Sequence, residues 1–352
     1  MPKLAARQAL NRLLGAELPL IQAPMAGVQA SALAVAVANA GALGSLPCAM
    51  LGVETMRNEV AAIRAGTDRP YNVNFFCHAP QSPSAEREAA WRRALAPYFR
   101  EYGIEPDSID AAPARMPFTA ASAAALEEFR PRVVSFHFGL PAADLIARVK
   151  SWGSKVVASA TTVAEARWLE ANGADAIVAQ GAEAGGHRGM FLTTDVGTQI
   201  GTFALVPQIA KAVRVPVIAA GGIADARGVA AAMALGAAGV QVGTAYLLCH
   251  EATTSAVHRA ALQSDAARET ALTNVFTGRP ARGIVNRLMR ELGPISALAP
   301  AFPLAAAAIG ALRARAEPRG CGDFSPLWAG QNVGGCKEIA AAELTRELAE
   351  GL

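Results

Sequence analysis

The feature that most limits the possible folds of this chain is a regular alternation of short apolar runs with Ala-rich stretches of helical length. The apolar runs are predicted as strands at residues 19–23, 41–45, 71–75, 132–136, 155–159, 176–179, 215–219 and 239–242. Strands that alternate with helices favour parallel pairing, because parallel strands need a crossover connection. Eight such units favour a closed α/β barrel of the (β/α)8, TIM-like type over an open sheet.

Helix ends within this repeat carry a recurring glycine. The predicted helices span residues 31–39, 53–65, 142–151, 163–171 and 226–235. Gly41, Gly173 and Gly236 follow three of them, where a left-handed residue can end the helix and lead into the next strand. These turns are expected at the floor of the barrel, away from the mouth where barrel enzymes work.

Two long segments interrupt the repeat, at residues 76–130 and 249–322. The first has helical character at residues 85–102, and the second contains several prolines. Insertions after strands lie at the barrel mouth, so both are predicted to form a mostly helical lid and substrate domain. The predicted barrel domain comprises residues 1–75 and 131–248, with residues 323–352 packing back on it through a terminal helix at 337–352.

The charge and hydropathy patterns exclude several classes of protein. No uninterrupted apolar run reaches the length of a membrane span, and the N-terminal residues are charged where a signal peptide needs an apolar centre. We therefore expect a cytoplasmic protein with no membrane partner. The formal net charge is only +3, with Arg scattered among Asp and Glu, which argues against nucleic-acid binding.

The five cysteines form no CxxC motif and are expected to be free thiols. Cys77 and His78 are a tempting ligand pair, but adjacent residues on a strand point to opposite sides. We predict no metal site, and the residues leave the oligomeric state open.

Two strand ends carry residues that helix packing does not need. Gly221 and Gly222 follow the seventh predicted strand, and Gly243 and Thr244 follow the eighth. Barrel enzymes commonly bind a phosphate between these two loops, where glycine lets backbone N–H groups approach the oxygens. We predict a phosphate-bearing cofactor there, with Gln241 and Val242 also in contact and Asp225 capping the next helix.

The loop after the sixth strand, residues 179–189, is rich in glycine and contains His187. Glycine at this density indicates backbone donors that approach a ligand closely, and we assign Gly185 and Gly186 to cofactor binding. Gln180 can hydrogen-bond the edge of a ring through its amide. Histidine is the usual proton-transfer residue near neutral pH, so His187 is the predicted catalytic residue.

The first, third and fourth strands complete the predicted mouth. Ala23, Pro24 and Met25 leave backbone groups free to contact a flat ring and its polar edge. Asn74 offers an inward-pointing amide. For His137, at the end of strand four, a place in the pocket and a structural role are both open.

Four motifs in order resemble those of the nitronate monooxygenases of class I, formerly called 2-nitropropane dioxygenases. The motifs are residues 19–28 (PLIQAPMAGV), 72–78 (NVNFFCH), 133–139 (VVSFHFG) and 179–189 (AQGAEAGGHRG). Residues 323–331 (DFSPLWAGQ) are also similar, so the resemblance extends from about residue 19 to residue 331.

This resemblance implies FMN as the cofactor and no requirement for NAD(P)H. It implies oxidation of alkyl nitronates, with propionate 3-nitronate as the expected substrate, by O2 to a carbonyl compound plus nitrite or related nitrogen oxides. The nitronate gives one electron to FMN, and the reduced flavin passes one to O2. His187 matches the family's catalytic histidine, which removes the α-proton of a neutral nitroalkane. Asn74, Gln180, Gly185, Gly222 and residues 241–244 match flavin contacts.

The chain departs from the family in its lid, where Tyr and Lys are scarce. Arg279, Arg282 and Arg287 could attract a substrate carboxylate instead, or could simply be solvated surface arginines. The alternative enzyme is an FMN-dependent NAD(P)H:quinone or enoyl-thioester reductase on the same barrel. A flavin-binding module without turnover is a third interpretation, which the presence of His187 in the mouth loop disfavours.

Overall fold

The structure, a computed structural model, describes residues 3–109 and 115–352. Its strands are β1 (Leu20–Gln22), β2 (Gly44–Pro47), β3 (Tyr71–Phe76), β4 (Val133–His137), β5 (Lys155–Ala160), β6 (Ala176–Gln180), β7 (Gly186–His187), β8 (Val217–Ala220), β9 (Gly239–Val242), β10 (Thr270–Thr273) and β11 (Ala281–Ile284). Its α-helices are α1 (Lys3–Leu14), α2 (Ser31–Asn39), α3 (Val53–Gly66), α4 (Ala85–Tyr102), α5 (Ala120–Glu127), α6 (Ala143–Ser151), α7 (Val163–Ala171), α8 (Thr202–Ala212), α9 (Ala226–Ala234), α10 (Ala256–Gln263), α11 (Arg287–Leu292), α12 (Ala306–Ala316) and α13 (Ala341–Ala349).

Eight parallel strands form the barrel, in the order β1-β9-β8-β6-β5-β4-β3-β2. The remaining seam, between β1 and the start of β2, is joined by a parallel bridge from Ile21 to Leu43. Leu43 donates its N–H to the Leu20 carbonyl at 2.9 Å and accepts from the Gln22 N–H at 3.0 Å. The predicted TIM-like α/β barrel is therefore confirmed.

The amino-terminal end of the barrel is covered by α1, a helix that the sequence patterns did not predict. Leu10 and Leu14 are fully buried and pack in one cluster with inward-facing strand residues such as Ile21, Val178 and Ile218. A Cβ on Gly239, which begins β9, would lie 2.6 Å from Leu10 Cδ2. Because α1 fills one end of the barrel, a ligand can enter only from the other end.

A second apolar cluster lies outside the barrel and joins the two predicted lid segments. Trp91, Leu95 and Phe99 of α4 pack with Ile309 and Leu312 of α12. The two segments thus share one core, as expected of a lid built from both. The domain boundaries themselves stay a prediction.

The lid is less helical than predicted, because it contributes two strands to a three-stranded antiparallel sheet in the order β10-β11-β7. The third strand, β7, belongs to the loop that follows β6, and His187 pairs with Ala281 of β11. This small sheet was not visible in the sequence because strands of two to four residues are too short to leave a clear alternating pattern.

Several predicted boundaries shift. The second strand begins at Gly44 and not at Gly41, because Gly41 forms the left-handed turn after α2 with φ +91°. The terminal helix begins at Ala341 and packs through Leu344 and Leu348, four residues later than predicted from residue 337. Helix α8 lies between β7 and β8 and was not predicted.

Two further expectations bear on the chain as a whole. All five cysteines lie in the described ranges and none is disulfide-bonded. Among the described helices, none combines the length and apolarity that crossing a bilayer requires.

The role of α1 as a cover predicts the effect of Leu10→Ala. This change should lower the free energy of unfolding by about 2–5 kcal/mol, because it leaves a cavity at the base of a packed barrel. Denaturant titration measures it, with Gln8→Ala, at an exposed position of the same helix, as the control. Equal effects of the two changes would contradict the assigned role of α1.

Candidate active site

A cavity opens at the carboxyl ends of the barrel strands, opposite α1. The predicted site residues that line it are Ala23, Pro24, Met25, Asn74, Gln180, Gly185, Gly186, His187, Gly221, Gly222, Gln241, Gly243 and Thr244. Its free space is about 1420 Å³, including solvent at the mouth. The cavity therefore lies where barrel enzymes bind their ligands.

Val242 is the one predicted site residue that does not line the cavity. Successive side chains of a strand point to opposite faces, and Gln241 is the neighbour that faces inward. Val242 is buried in the layer between the strands and the helices. Its carbonyl accepts the Ala23 N–H at 2.8 Å, which fixes the end of β1. The side chain of Val242 thus packs in the core, and the predicted contact of Val242 with the cofactor stays a prediction.

The ends of β8 and β9 lie side by side and present unused backbone donors. Gly221 and Gly222 have φ of +116° and +73°, and a Cβ on Gly221 would come within 2.8 Å of Thr202 Oγ1. Within residues 3–109 and 115–352, the N–H groups of Gly221, Gly222, Gly243 and Thr244 make no hydrogen bond. A row of free N–H groups beside glycines is the donor set that a phosphate needs. The predicted Asp225 cap also forms, on the Gly228 N–H at 2.8 Å.

The loop after β6 is held in place by a buried arginine. Arg188 is fully buried and donates to the carbonyls of Gln180 at 2.8 Å and Gly181 at 2.9 Å, and to Gln199 Oε1 at 2.8 Å. Burial, and secondarily the charge of Arg282, lower the pKa of Arg188 to about 10. A buried cation of this kind is tolerated when its donors are satisfied. Arg188 therefore fixes the backbone that leads to His187.

The carbonyl oxygen of His187 is contacted by side chains from the ends of two barrel strands, β6 and β4. It accepts from Gln180 Nε2 at 3.0 Å and lies 3.1 Å from His137 Nε2. His137 Nδ1 lies 3.1 Å from Ser159 Oγ, so both ring nitrogens are engaged. His137 thus combines the two alternatives that the sequence left open: it lines the cavity and supports the loop. Gln180 Oε1 accepts from Gly189, so this amide binds the loop in addition to facing the cavity.

The imidazole of His187 lies among aromatic rings and one hydroxyl. Its Nε2 is 2.9 Å from Thr277 Oγ1, and its ring centre lies 5.3 Å from Phe302 and 5.5 Å from Trp328. Desolvation, followed by the positive charge of Arg115, holds the pKa of His187 well below its usual 6.5. The imidazole is therefore neutral at physiological pH.

The sequence analysis missed the residues that surround His187. Phe76, Phe138, Phe302 and Trp328 contribute the rings, and Thr277 comes from the connection between β10 and β11. Phe76, Phe138 and Trp328 lie within the sequence motifs described above. Phe302 and Thr277 lie in the lid, where no local pattern marks them. The contacts of Phe302 and Thr277 with His187 depend on the pairing of β7 with β11.

The three lid arginines proposed to attract an anion all have partners within the protein. Arg282 is buried and donates to the Ala182 carbonyl at 2.8 Å and to Thr270. Arg287 forms ion pairs with Glu101 and Glu291. The third, Arg279, lies over the Phe138 ring at 3.8 Å and donates to the Met190 carbonyl. None of the three lines the cavity, so the predicted anion-binding role of Arg282 and Arg287 is wrong.

No metal site accompanies this cavity in the described ranges. Among residues 3–109 and 115–352, no group of three or more His, Cys, Asp or Glu side chains is arranged to hold an ion.

Comparison with known proteins identifies the family. The nitronate monooxygenase family model matches residues 7–351. The chain belongs to the nitronate monooxygenase family. This is a family of oxidoreductase enzymes, and its match spans nearly the whole chain.

Individual relatives agree with this assignment. A nitronate monooxygenase from Paraburkholderia phytofirmans is 46% identical over 346 residues, which cover 97% of this chain and 94% of the relative. One from Pseudomonas aeruginosa is 45% identical over 351 residues, with 97% and 98% coverage. Among solved structures, a nitroalkane oxidase from Streptomyces ansochromogenes superposes with a TM-score of 0.88 at 40% identity, covering 97% of this chain and 96% of that one.

The neutral histidines of this nitronate monooxygenase site predict a loss of stability in acid. Burial lowers the pKa of His137 to about 3. Between pH 6.5 and pH 3 the unfolded chain binds a proton that the native protein does not, so stability falls as pH falls. From pH 7.5 to pH 5, His137 alone should reduce the free energy of unfolding by about 2 kcal/mol.

His137→Gln should remove that part of the pH dependence, because Gln keeps an N–H for the His187 carbonyl and does not titrate. Denaturant titrations at the two pH values measure the effect. Ser159→Ala is the matched control, since it removes a partner of His137 but keeps the imidazole. A pH dependence unchanged by His137→Gln would show that His137 has the same pKa in the native and the unfolded protein, which would contradict the lowered value.

Proposed function

We propose that the chain is an FMN-dependent enzyme that uses O2 to oxidise alkyl nitronates, with propionate 3-nitronate as the expected substrate. The products are a carbonyl compound and nitrite or related nitrogen oxides. The observation that carries the proposal is the pairing, across one cavity, of free backbone donors at Gly221, Gly222, Gly243 and Thr244 with a neutral His187.

The residues at the barrel mouth fit FMN in the chemistry of their donors. The four free N–H groups would hold the phosphate, and no carboxylate lines the described cavity to repel it. Ala23, Pro24 and Met25, with Gly185 and Gly186, would contact the ring from opposite walls. The remaining N–H of Gln180 is available for its polar edge, as is Asn74 Oδ1, since Asn74 Nδ2 already donates to the carbonyl and the hydroxyl of Ser135. When bound, FMN would accept electrons from the nitronate and pass electrons to O2.

His187 has the properties of a base for substrates that still carry an α-proton. Its low pKa keeps it unprotonated at neutral pH, so a lone pair is available without prior loss of a proton. Thr277 Oγ1 can either donate to Nε2 or accept from it, because a hydroxyl does both. The hydroxyl can therefore partner the neutral ring and the protonated one. The surrounding rings exclude water from the nitrogen that takes the proton.

An anionic substrate suits the charge of this cavity. Arg115 lines it, while Arg279 lies just behind Phe138. With no acidic side chain in the described lining, a nitronate gains attraction without repulsion. Because His187 is neutral, the positive charge near the cavity comes from these arginines.

The phosphate assignment predicts that Gly222→Asp lowers FMN occupancy severely, because it adds a negative charge beside the N–H donors. Gly103→Asp is the matched control: Gly103 also has a positive φ of +62°, but it lies at the end of α4 with no atom near its added Cβ. Flavin absorbance per protein and mass spectrometry of the released cofactor measure the result. Full occupancy in Gly222→Asp, or release of FAD, would place the phosphate elsewhere.

The base assignment predicts different effects of His187→Gln on two forms of one substrate. Gln retains an amide near the position of Nε2 but cannot take up the proton. Turnover of a neutral nitroalkane should fall by about 10²- to 10⁴-fold, whereas an already ionised nitronate should lose much less. Anaerobic flavin reduction by each form measures this, with Thr277→Val as a control that keeps the imidazole. Equal losses for both forms would exclude the base role. Flavin reduction by NADPH and not by nitronates would favour the reductase alternative.

A further inference from the structure

Arg115 occupies an unusual position at the border of two cavities. It lines the cavity that contains His187 and a second one bounded by α4 and the start of α12. The extended segment that contains it is tied to the barrel by the hydrogen bond from the Phe118 N–H to the Phe76 carbonyl, 2.9 Å. Its side chain is therefore held near the end of β3.

The Arg115 guanidinium and the His187 imidazole both lie beside the ring of Phe302. Its central carbon lies 5.6 Å from the centre of the Phe302 ring, and the same ring lies 5.3 Å from that of His187. The positive charge of Arg115 is also the largest electrostatic contribution that lowers the pKa of His187. The two groups thus face a common space.

Arg115 is partly buried, and within residues 3–109 and 115–352 it takes part in no ion pair. Burial lowers the pKa of its guanidinium, as expected for a cation that has lost water without gaining a carboxylate. The cost of this desolvation is recovered when an anion binds.

We propose that Arg115 binds the carboxylate of an ω-carboxylated nitronate, and that it thereby determines the enzyme's preference for such substrates over uncharged ones. The inference rests on the proposed function and assigns a residue to its substrate specificity. Arg115 takes the place that the sequence analysis gave to Arg282 and Arg287, whose donors are already occupied.

The geometry favours the carboxylate over the nitronate group as the partner of Arg115. The carbon that bears the nitro group has to lie near His187, because this residue takes the α-proton of the neutral nitroalkane, and the nitronate has the same carbon chain. Arg115 lies at the end of the cavity that borders the second one, which His187 does not line. A guanidinium at that end reaches the far terminus of a short chain, and its planar donors match a carboxylate in two-point contact.

The test compares propionate 3-nitronate with its methyl ester, which has the same carbon chain without the carboxylate charge. We expect the wild-type enzyme to have a kcat/KM about 10- to 100-fold higher for the acid, the value of a charge-assisted hydrogen bond. Arg115→Met should bring the ratio of the two kcat/KM values close to one. Arg115→Lys, which keeps the charge but loses the planar pair of donors, should give an intermediate ratio.

Arg92→Met is the matched control, because Arg92 lines the second cavity but not the first. It should keep the wild-type ratio. Flavin content and Tm of each variant show whether it is folded, and the wild-type ratio tests the preference without any substitution. A wild-type enzyme with no preference, or Arg115→Met with the wild-type preference, overturns the inference while the nitronate activity stands. Failure of the wild-type enzyme to oxidise either compound overturns the proposed function itself.

Discussion

The two hydrogen bonds received by the His187 carbonyl are the interaction on which the site depends. They come from Gln180 at the end of β6 and from His137 at the end of β4. The loop between β6 and β7 has too many glycines to hold a single conformation by itself. Its position is imposed by these two barrel side chains and, from below, by the buried Arg188. These contacts thus hold the loop, and with it the His187 imidazole, in a fixed position.

The same arrangement explains why the charge around His187 is positive and comes from arginine and not from histidine. His137 and His187 are surrounded by Phe rings and by Arg115 and Arg279, and both have lowered pKa values through desolvation first and neighbouring positive charge second. Neutral imidazoles can lie close together where imidazolium ions would repel each other. The permanent charge is then carried by arginine alone, whose own pKa stays far above physiological pH even after burial.

Much of the barrel and most of the mouth could be predicted because short stretches of sequence carry the patterns that specify them. The eight apolar runs gave the strands, and glycines beyond β8 and β9 marked the loops that line the cavity. The side chain of Val242 faces the core because side chains alternate within the strand that precedes the loop motif. The residues that surround His187 could not be predicted for a different reason. Thr277 and Phe302 are about 90 and 115 residues away from His187 in sequence, and only the folded chain brings them to it. Arg282 and Arg287 were misassigned because Ala182 and Glu101, with which they pair, lie 100 and 186 residues away in sequence.

The pairing of β7 with β11 places the boundary between lid and barrel inside a β-sheet. In many barrel enzymes the loops at the mouth vary independently of the scaffold. Here Arg188, the residue after His187, donates its N–H to the carbonyl of Pro280 in the lid at 2.9 Å, so a lid taken from a relative would have to supply a matching edge strand in the correct register. A chimera joined at the strand ends would otherwise leave the β7 backbone without its partner. In this protein, recombination has to exchange the β6–β7 loop and the lid together.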